Sequence, residues 1–308
     1  MLLSVSRRTD IPQYYAPWFF TRLREGFVLV RNPRNPHQLS RVSLAPASVE
    51  GIVFWTKNPL PMLERLGELR KYPYYFQFTL TPYGRDVERG LPSKGKVLVP
   101  AFQRLSRAIG PQRVLWRYDP IFFTSRYTPQ YHLYYFERLA RLLAPYTARC
   151  TFSFLDEYSH TAQKMAGLVP TLPSPAQRLW LAGELARIAK QYGLQLCACA
   201  EEGDFGSLGI PPARCVDPEL FGRLLGCPLT VKKDPRQRLA CGCAESVDIG
   251  EYDTCPGGCR YCYATRSARP ASLHDPASPL LTGRPGPGDR ITLRPMPSCR
   301  QTQLRLWD

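Results

Sequence analysis

The strongest constraint on this chain is a succession of short apolar runs, rich in aromatic and branched residues, each stopping abruptly at polar ones. Leu2-Leu3-Ser4-Val5-Ser6 precedes Arg7-Arg8-Thr9-Asp10; Gly51-Ile52-Val53-Phe54-Trp55 precedes Thr56-Lys57-Asn58; and the run from Tyr74 to Leu80 precedes Thr81-Pro82. Val114-Leu115-Trp116 then leads into Arg117-Tyr118-Asp119-Pro120, the run from Thr151 to Leu155 into Asp156-Glu157, and the run from Leu194 to Cys199 towards Glu201-Glu202. Runs of this length suit strands covered on both faces. Helical stretches lie between them. Ser174-Pro175 supplies an N-cap and a first-turn proline, Leu179, Leu181, Leu185 and Ile188 keep an approximate helical period, and Gly193 closes the helix. Thr128-Pro129 opens another in the same way. The alternation predicts βαβ units and an α/β fold, a partial or full TIM-like parallel (β/α) barrel.

A parallel barrel gathers its chemistry where the strands end. Here those ends carry Arg7, Arg8, Asp10, Lys57, Asn58, Arg117, Asp119, Asp156 and Glu201, a set that predicts a polar cavity. Gln77 and Thr79, inside the third run, would face the interior and need partners there.

The spacing predicts a barrel core over residues 1–202 and a cysteine-rich segment over 203–267 that completes it, with a last short strand at residues 245–250. A proline- and glycine-rich tail over 268–308 is expected to run extended around the domain or to be partly disordered. The start of the chain lacks the features of a secretory leader, and no apolar run reaches membrane-spanning length, so a cytoplasmic protein without membrane contact is expected. A net charge of +16 favours polyanionic partners, although it is spread along the chain.

In a reducing compartment eleven cysteines are better read as metal ligands or redox groups than as a disulfide framework. Cys150 has the surroundings of a buried apolar residue, and Cys299 of a free thiol. Cys255, Cys259 and Cys262 form a C-x-x-x-C-x-x-C loop, in which Gly257-Gly258 would let backbone approach inorganic sulfide. A [4Fe-4S] cube normally takes four thiolates, so three leave one iron open to an outside ligand.

That spacing, with Tyr261 just before the last cysteine, resembles the radical S-adenosylmethionine superfamily. Residues 258–264 look like the cluster loop of its spore photoproduct lyase-like branch, and Thr56-Lys57-Asn58 is similar to a strand end of that branch. The order differs, because in the superfamily the cysteines follow the first strand. A circular permutation, with residues 246–250 pairing beside residues 2–6 and the cluster loop moved to the carboxyl-terminal end, reconciles the two. No glycine-glutamate motif of the usual kind can be placed. Nearly the whole chain is also similar to an uncharacterised bacterial family, domain of unknown function family 1848. This likeness rests on residues 4–12, 54–59, 76–84, 116–120 and 233–264.

The superfamily resemblance implies a [4Fe-4S] cluster on Cys255, Cys259 and Cys262 whose open iron is chelated by S-adenosylmethionine. Reductive cleavage, driven by a reductant such as flavodoxin or ferredoxin, would give a 5′-deoxyadenosyl radical that takes a hydrogen atom from a substrate. Lys57, Arg117 and Asp119 are then catalytic candidates. Arg7, Arg8, Asp10, Asn58, Asp156 and Glu201 are candidates for cofactor binding. The substrate stays open; the photoproduct-lyase likeness and the basic charge lean towards nucleic acid. The family resemblance also favours Cys199, Cys215, Cys241 and Cys243, over Cys197 and Cys227, as ligands of a second cluster or a zinc ion. A competing reading is a non-enzymatic zinc protein that binds nucleic acid, although no paired C-x-x-C knuckles support it. Cofactor-free chemistry finds little support, because His132 and His160 form no recognisable dyad with another residue.

Overall fold

Each apolar run becomes a strand because its side chains alternate between two buried surfaces. The structure, a computed structural model, describes residues 1–156, 158–267 and 273–301. In chain order the first elements are β1 (Leu2–Val5), α1 (Ile11–Tyr14), α2 (Ala16–Glu25), β2 (Phe27–Asn32), β3 (Asn35–Ser43), β4 (Gly51–Thr56), α3 (Leu60–Leu63), β5 (Tyr74–Thr79) and α4 (Val99–Ile109). There follow β6 (Val114–Ile121), α5 (Pro129–Leu143), β7 (Arg149–Phe154), α6 (Ser159–Met165), α7 (Pro175–Gln191), β8 (Gln195–Ala198), α8 (Pro218–Leu225), β9 (Val247–Asp248) and β10 (Arg290–Leu293). Among the described residues no helix is long and apolar enough to cross a membrane.

Seven strands form one parallel sheet in the order β8-β7-β6-β5-β4-β1-β9. From β1 and β4 through β8, each new strand is laid beside the last in the same direction, as in a barrel. The later β9 then returns to the other side of β1, with Leu3 opposite Val247 and Ser4 opposite Asp248. The sheet is therefore partial-barrel-like, with β8 and β9 at its edges. The β8 edge is covered by residues 211–213, where Ala198 N–H donates to Pro211 (3.0 Å) and Ala213 N–H donates to Ala198 (2.7 Å).

On one face Leu3, Phe54, Phe76, Trp116 and Phe152 share a core with Trp18 of α2, Phe102 of α4, Phe136 of α5 and Leu185 of α7. On the other, Leu2, Val53, Tyr75 and Leu115 pack against Val216, Leu220 and Phe221, so that α8 and the cysteine-rich segment plug the interior. The plug explains Gly51: a Cβ there would lie 2.3 Å from ring carbons of Phe221. Further along the same inward register stand Ser4, Trp55, Gln77, Arg117, Ser153 and Cys199. The interior thus turns from apolar to polar towards the carboxyl ends of the strands. Gln77 finds the partner it needs there, donating to Cys215 O at 2.9 Å.

Both expected helices form as read. Ser174 and Gln177 make a reciprocal capping box at α7, and Thr128 accepts from Tyr131 N–H at α5. Other elements depart from expectation. A three-stranded sheet, β10-β3-β2, lies outside the barrel-like one; β3 is largely exposed and polar and β10 is exposed, while the apolar run from Phe27 to Val30, absent from the sequence expectation, forms β2. The irregular stretch before residue 235 holds α8, capped by the Asp217 carboxylate. Of the tail, residues 277–280 cross α2, residues 290–293 join β3 as β10, and residues 299–301 pair with residues 228–230. Trp18 Nε1–H donates to the carbonyls of Ser278 and Leu280, both at 3.0 Å. Residues 268–272 and 302–308 of the expected tail, and Glu157 at the end of the fifth run, lie outside the described residues.

Candidate metal and cofactor site

Because the inward register turns polar at the strand ends, the sheet opens there onto a cavity of about 1520 Å³ to which every strand contributes. Arg7 after β1, Lys57 after β4, Asp119 on β6, Ser153 on β7, Cys199 after β8 and Asp248 on β9 are among its walls. Arg7 and Arg117 both lie over the Trp55 ring, 5.3 and 5.2 Å from its centroid. Arg117, buried, is ion-paired with Asp119 two residues along the same strand face. Burial alone would raise the Asp119 pKa; Arg117 and the Ser153 hydroxyl instead hold it below the usual carboxylate value.

The loop after β9 brings Cys255, Cys259 and Cys262 to this cavity. It is fastened from three sides. Residues 87–90 run antiparallel to it: Gly90 N–H donates to Gly257 O and Arg260 N–H to Val87 O, both at 3.0 Å. Lys164 Nζ donates to the carbonyls of Cys262 (2.6 Å) and Thr265 (2.7 Å). Tyr261 packs near Tyr83 and Phe122, and its hydroxyl meets Lys57 Nζ at 2.7 Å and the Glu88 carboxylate. Gly90 approaches so closely that a Cβ would stand 2.8 Å from the Gly257 carbonyl oxygen. Gly90→Ala is therefore expected to pry the loop away at a cost of about 1–3 kcal/mol. Hydrogen exchange should show it: the amides of Gly90 and Arg260 lose protection while those of β6 keep theirs.

Glu88 anchors the network and no sequence pattern pointed to it. It is buried, with Lys57 Nζ at 2.8 Å from Oε1, Lys94 at its other oxygen and the Thr81 hydroxyl at 3.0 Å. Burial opposes ionisation, but the two lysines prevail and hold its pKa at about 2. The same contact reinforces Lys57, whose ammonium burial would weaken; Glu88 and the nearby Cys259 push its pKa above the ordinary lysine value.

Burial pushes Cys255 up to about 11 and Cys259 well above its ordinary value, and the neighbouring sulfurs add to both shifts. A bound cation reverses this by displacing the protons. The backbone amides of Asp10 and Gly257 face Cys255, while the other two thiols have only long contacts: Cys259 Sγ is 4.0 Å from Gly257 O, and Cys262 Sγ is 4.0 Å from Thr265 Oγ1. Among the described residues no three His, Cys, Asp or Glu side chains already converge on a single ion. A cube does not require that, since each thiolate meets its own iron. The three cysteines fit such a group.

A family model described as "Domain of unknown function (DUF1848)" matches residues 2–264, from β1 through the loop of Cys255, Cys259 and Cys262. The chain belongs to the DUF1848 family. No curated protein matches the sequence. A solved structure of a putative alpha-L-fucosidase from Bacteroides thetaiotaomicron is 11% identical, covering 59% of this chain and 73% of that one, at a TM-score of 0.26. So loose a likeness carries no argument.

Within the DUF1848 match, Arg7, Arg8, Asp10, Lys57, Arg117, Asp119 and Asp156 all line the cavity, as do Cys199, Cys215, Cys241 and Cys243. Two candidates do not. Asn58 accepts from Leu60 N–H at 3.2 Å, ordering the turn into α3. Glu201 is buried against β7, accepting from Phe154 N–H at 2.8 Å, and burial pushes its pKa to about 7. A polar residue after a strand can turn back to satisfy local backbone, and these two do. Asp10 lines the cavity but also caps α1 and accepts from Lys57 N–H at 2.8 Å; burial pushes its pKa to about 6. Arg8 lies over Tyr252, and Asp156 pairs with Arg238. His132 is a satisfied core residue between Tyr118 Oη and Phe122 O, each at 3.0 Å.

Proposed function

We propose that this chain is a radical S-adenosylmethionine-type enzyme whose cluster loop has been moved by circular permutation behind the last strand of a partial barrel. One observation carries the reading. Cys255, Cys259 and Cys262 enter a cavity at the carboxyl ends of the parallel strands, on the loop after a strand that pairs beside β1. When bound, a three-thiolate [4Fe-4S] cluster with S-adenosylmethionine supplies one-electron cleavage of the sulfonium bond, using a reductant of the flavodoxin or ferredoxin class.

The chain's own residues bind, orient and exclude water. Lys57, Glu88 and Tyr261 hold the loop from behind, and the ammonium sets positive charge beside Cys259. Arg7 and Arg117 present guanidinium groups suited to a carboxylate or phosphate, and Asp119 presents an ionised acceptor suited to hydroxyl or amino groups. The cavity exceeds what one nucleoside cofactor fills, which leaves space for a substrate. The basic charge favours an anionic substrate, nucleic acid first.

Purification of the full chain without oxygen tests the reading. The expected product is brown, carries iron and sulfide, and releases 5′-deoxyadenosine from S-adenosylmethionine once reduced. Iron-free protein loaded with zinc, or iron-loaded protein releasing no 5′-deoxyadenosine, would overturn it. Nucleic-acid binding should weaken steeply with salt, and no binding at low salt would remove that substrate class.

A further inference from the structure

We propose that Cys199, Cys215, Cys241 and Cys243 form a second metal centre, all-thiolate and dianionic, with Arg7 and Arg117 as its counter-cations. The site shares no ligand with the 255–262 loop and stands independently of it. Three separate stretches of chain contribute: the end of β8, the approach to α8 and the approach to β9. Cys199 Sγ and Cys215 Sγ are 3.5 Å apart. Cys215 in turn neighbours Cys243, and Cys243 neighbours Cys241, each near enough to shift the other's proton affinity. Cys150 and Cys197 lie outside this series.

Two further features set positive charge against these sulfurs. Arg117 Nη1 donates to Cys215 Sγ at 2.7 Å, with Nη2 4.0 Å from Cys199 Sγ, a short contact that a thiolate rewards and a neutral thiol does not. Arg7 Nη2 is buried with no hydrogen-bond partner, and its guanidinium lies in the field of Cys243 and Cys215. The amide of Val216 also points at Cys243 Sγ, at 3.5 Å, an N–H···S contact of the kind that supports metal thiolates. The thiols touch in series and have not converged on one point, as holds for every such group among the described residues. Ligation exchanges these S–H···S contacts for metal bonds. Two bonds of about 2.3 Å at a tetrahedral angle put sulfurs ~3.8 Å apart, close to the spacing of Cys199 and Cys215.

A zinc ion and a [4Fe-4S] cube share this chemistry, and metal analysis separates them. The full chain carrying Cys255→Ala, Cys259→Ala and Cys262→Ala, purified without oxygen, has lost the first site. It is expected to retain about one zinc, or about four irons with matching sulfide, per chain. X-ray absorption at the metal edge should show sulfur-only ligation by protein thiolate, joined by inorganic sulfide if iron is found. Adding Cys215→Ser should lower the metal content at least tenfold. Where that variant does not fold, cobalt titration of the metal-free triple variant gives a second reading, with thiolate charge-transfer bands saturating at about one equivalent. A folded triple variant without stoichiometric metal and without those bands, or one with a Cys199–Cys215 disulfide in their place, overturns the proposal. Because the triple variant lacks the 255–262 thiols, its result is independent of the proposed enzymatic activity.

Discussion

Glu88→Gln is expected to destabilise the protein by about 3–5 kcal/mol at neutral pH and by very little near pH 2. Glutamine keeps the shape of the side chain and removes the anion that Lys57 and Lys94 share, leaving two partly buried ammonium groups facing one another. The pH dependence follows from linkage. The carboxyl titrates at about 2 in the folded protein, below its ordinary value of 4.5, so its contribution is fully present above pH 4.5 and is lost as pH falls towards 2. Denaturant titrations of wild type and variant across that window should converge as the pH drops. Parallel curves at every pH would show that the effect is one of packing and not of charge. The variant should also loosen the 255–262 loop, because Tyr261 and Lys57 both rest on this carboxylate.

Cys259→Ala should abolish reductive cleavage of S-adenosylmethionine, by more than about 100-fold, since loss of a ligand exceeds the loss typical of a supporting residue. Two thiolates do not hold a cube, so iron content should fall by about four per chain while far-ultraviolet circular dichroism stays unchanged. The fold survives because Cys259 sits in a loop outside the sheet and makes no strong hydrogen bond of its own. Cleavage at the wild-type rate in the variant would remove the loop from the chemistry. Cys197→Ala serves as a control. That thiol is buried, burial pushes its pKa to about 11, and it does not line the cavity, so cleavage should persist in its absence.

The strands were legible because a parallel strand buried on both faces must be apolar nearly throughout. Each of the six runs became one, and the polar residues that stopped them mark where the cavity opens. Gln77 and Thr79 betrayed the turn from apolar to polar within β5. Strands β3 and β10 stayed hidden because an exposed sheet needs no apolar run; β2 does carry one, Phe27 to Val30 with Val28 and Leu29 buried, but it pairs antiparallel in a hairpin and stands outside the βαβ alternation. Asn58 and Glu201 read as cavity residues from their place after strands. Backbone amides nearby claim both, and sequence spacing does not reveal which way a side chain turns.

Order along the chain determined the parallel α/β architecture, the polar strand ends and the three clustered thiols, because these depend on alternation and short-range spacing. Tertiary structure alone decided which distant groups meet. It paired β9 with β1, seated Glu88 under the 255–262 loop and drew Cys199 and Cys215 together beside the buried Arg117. Such contacts join residues tens to hundreds of positions apart, and only the closing of the sheet around its plug brings them within reach.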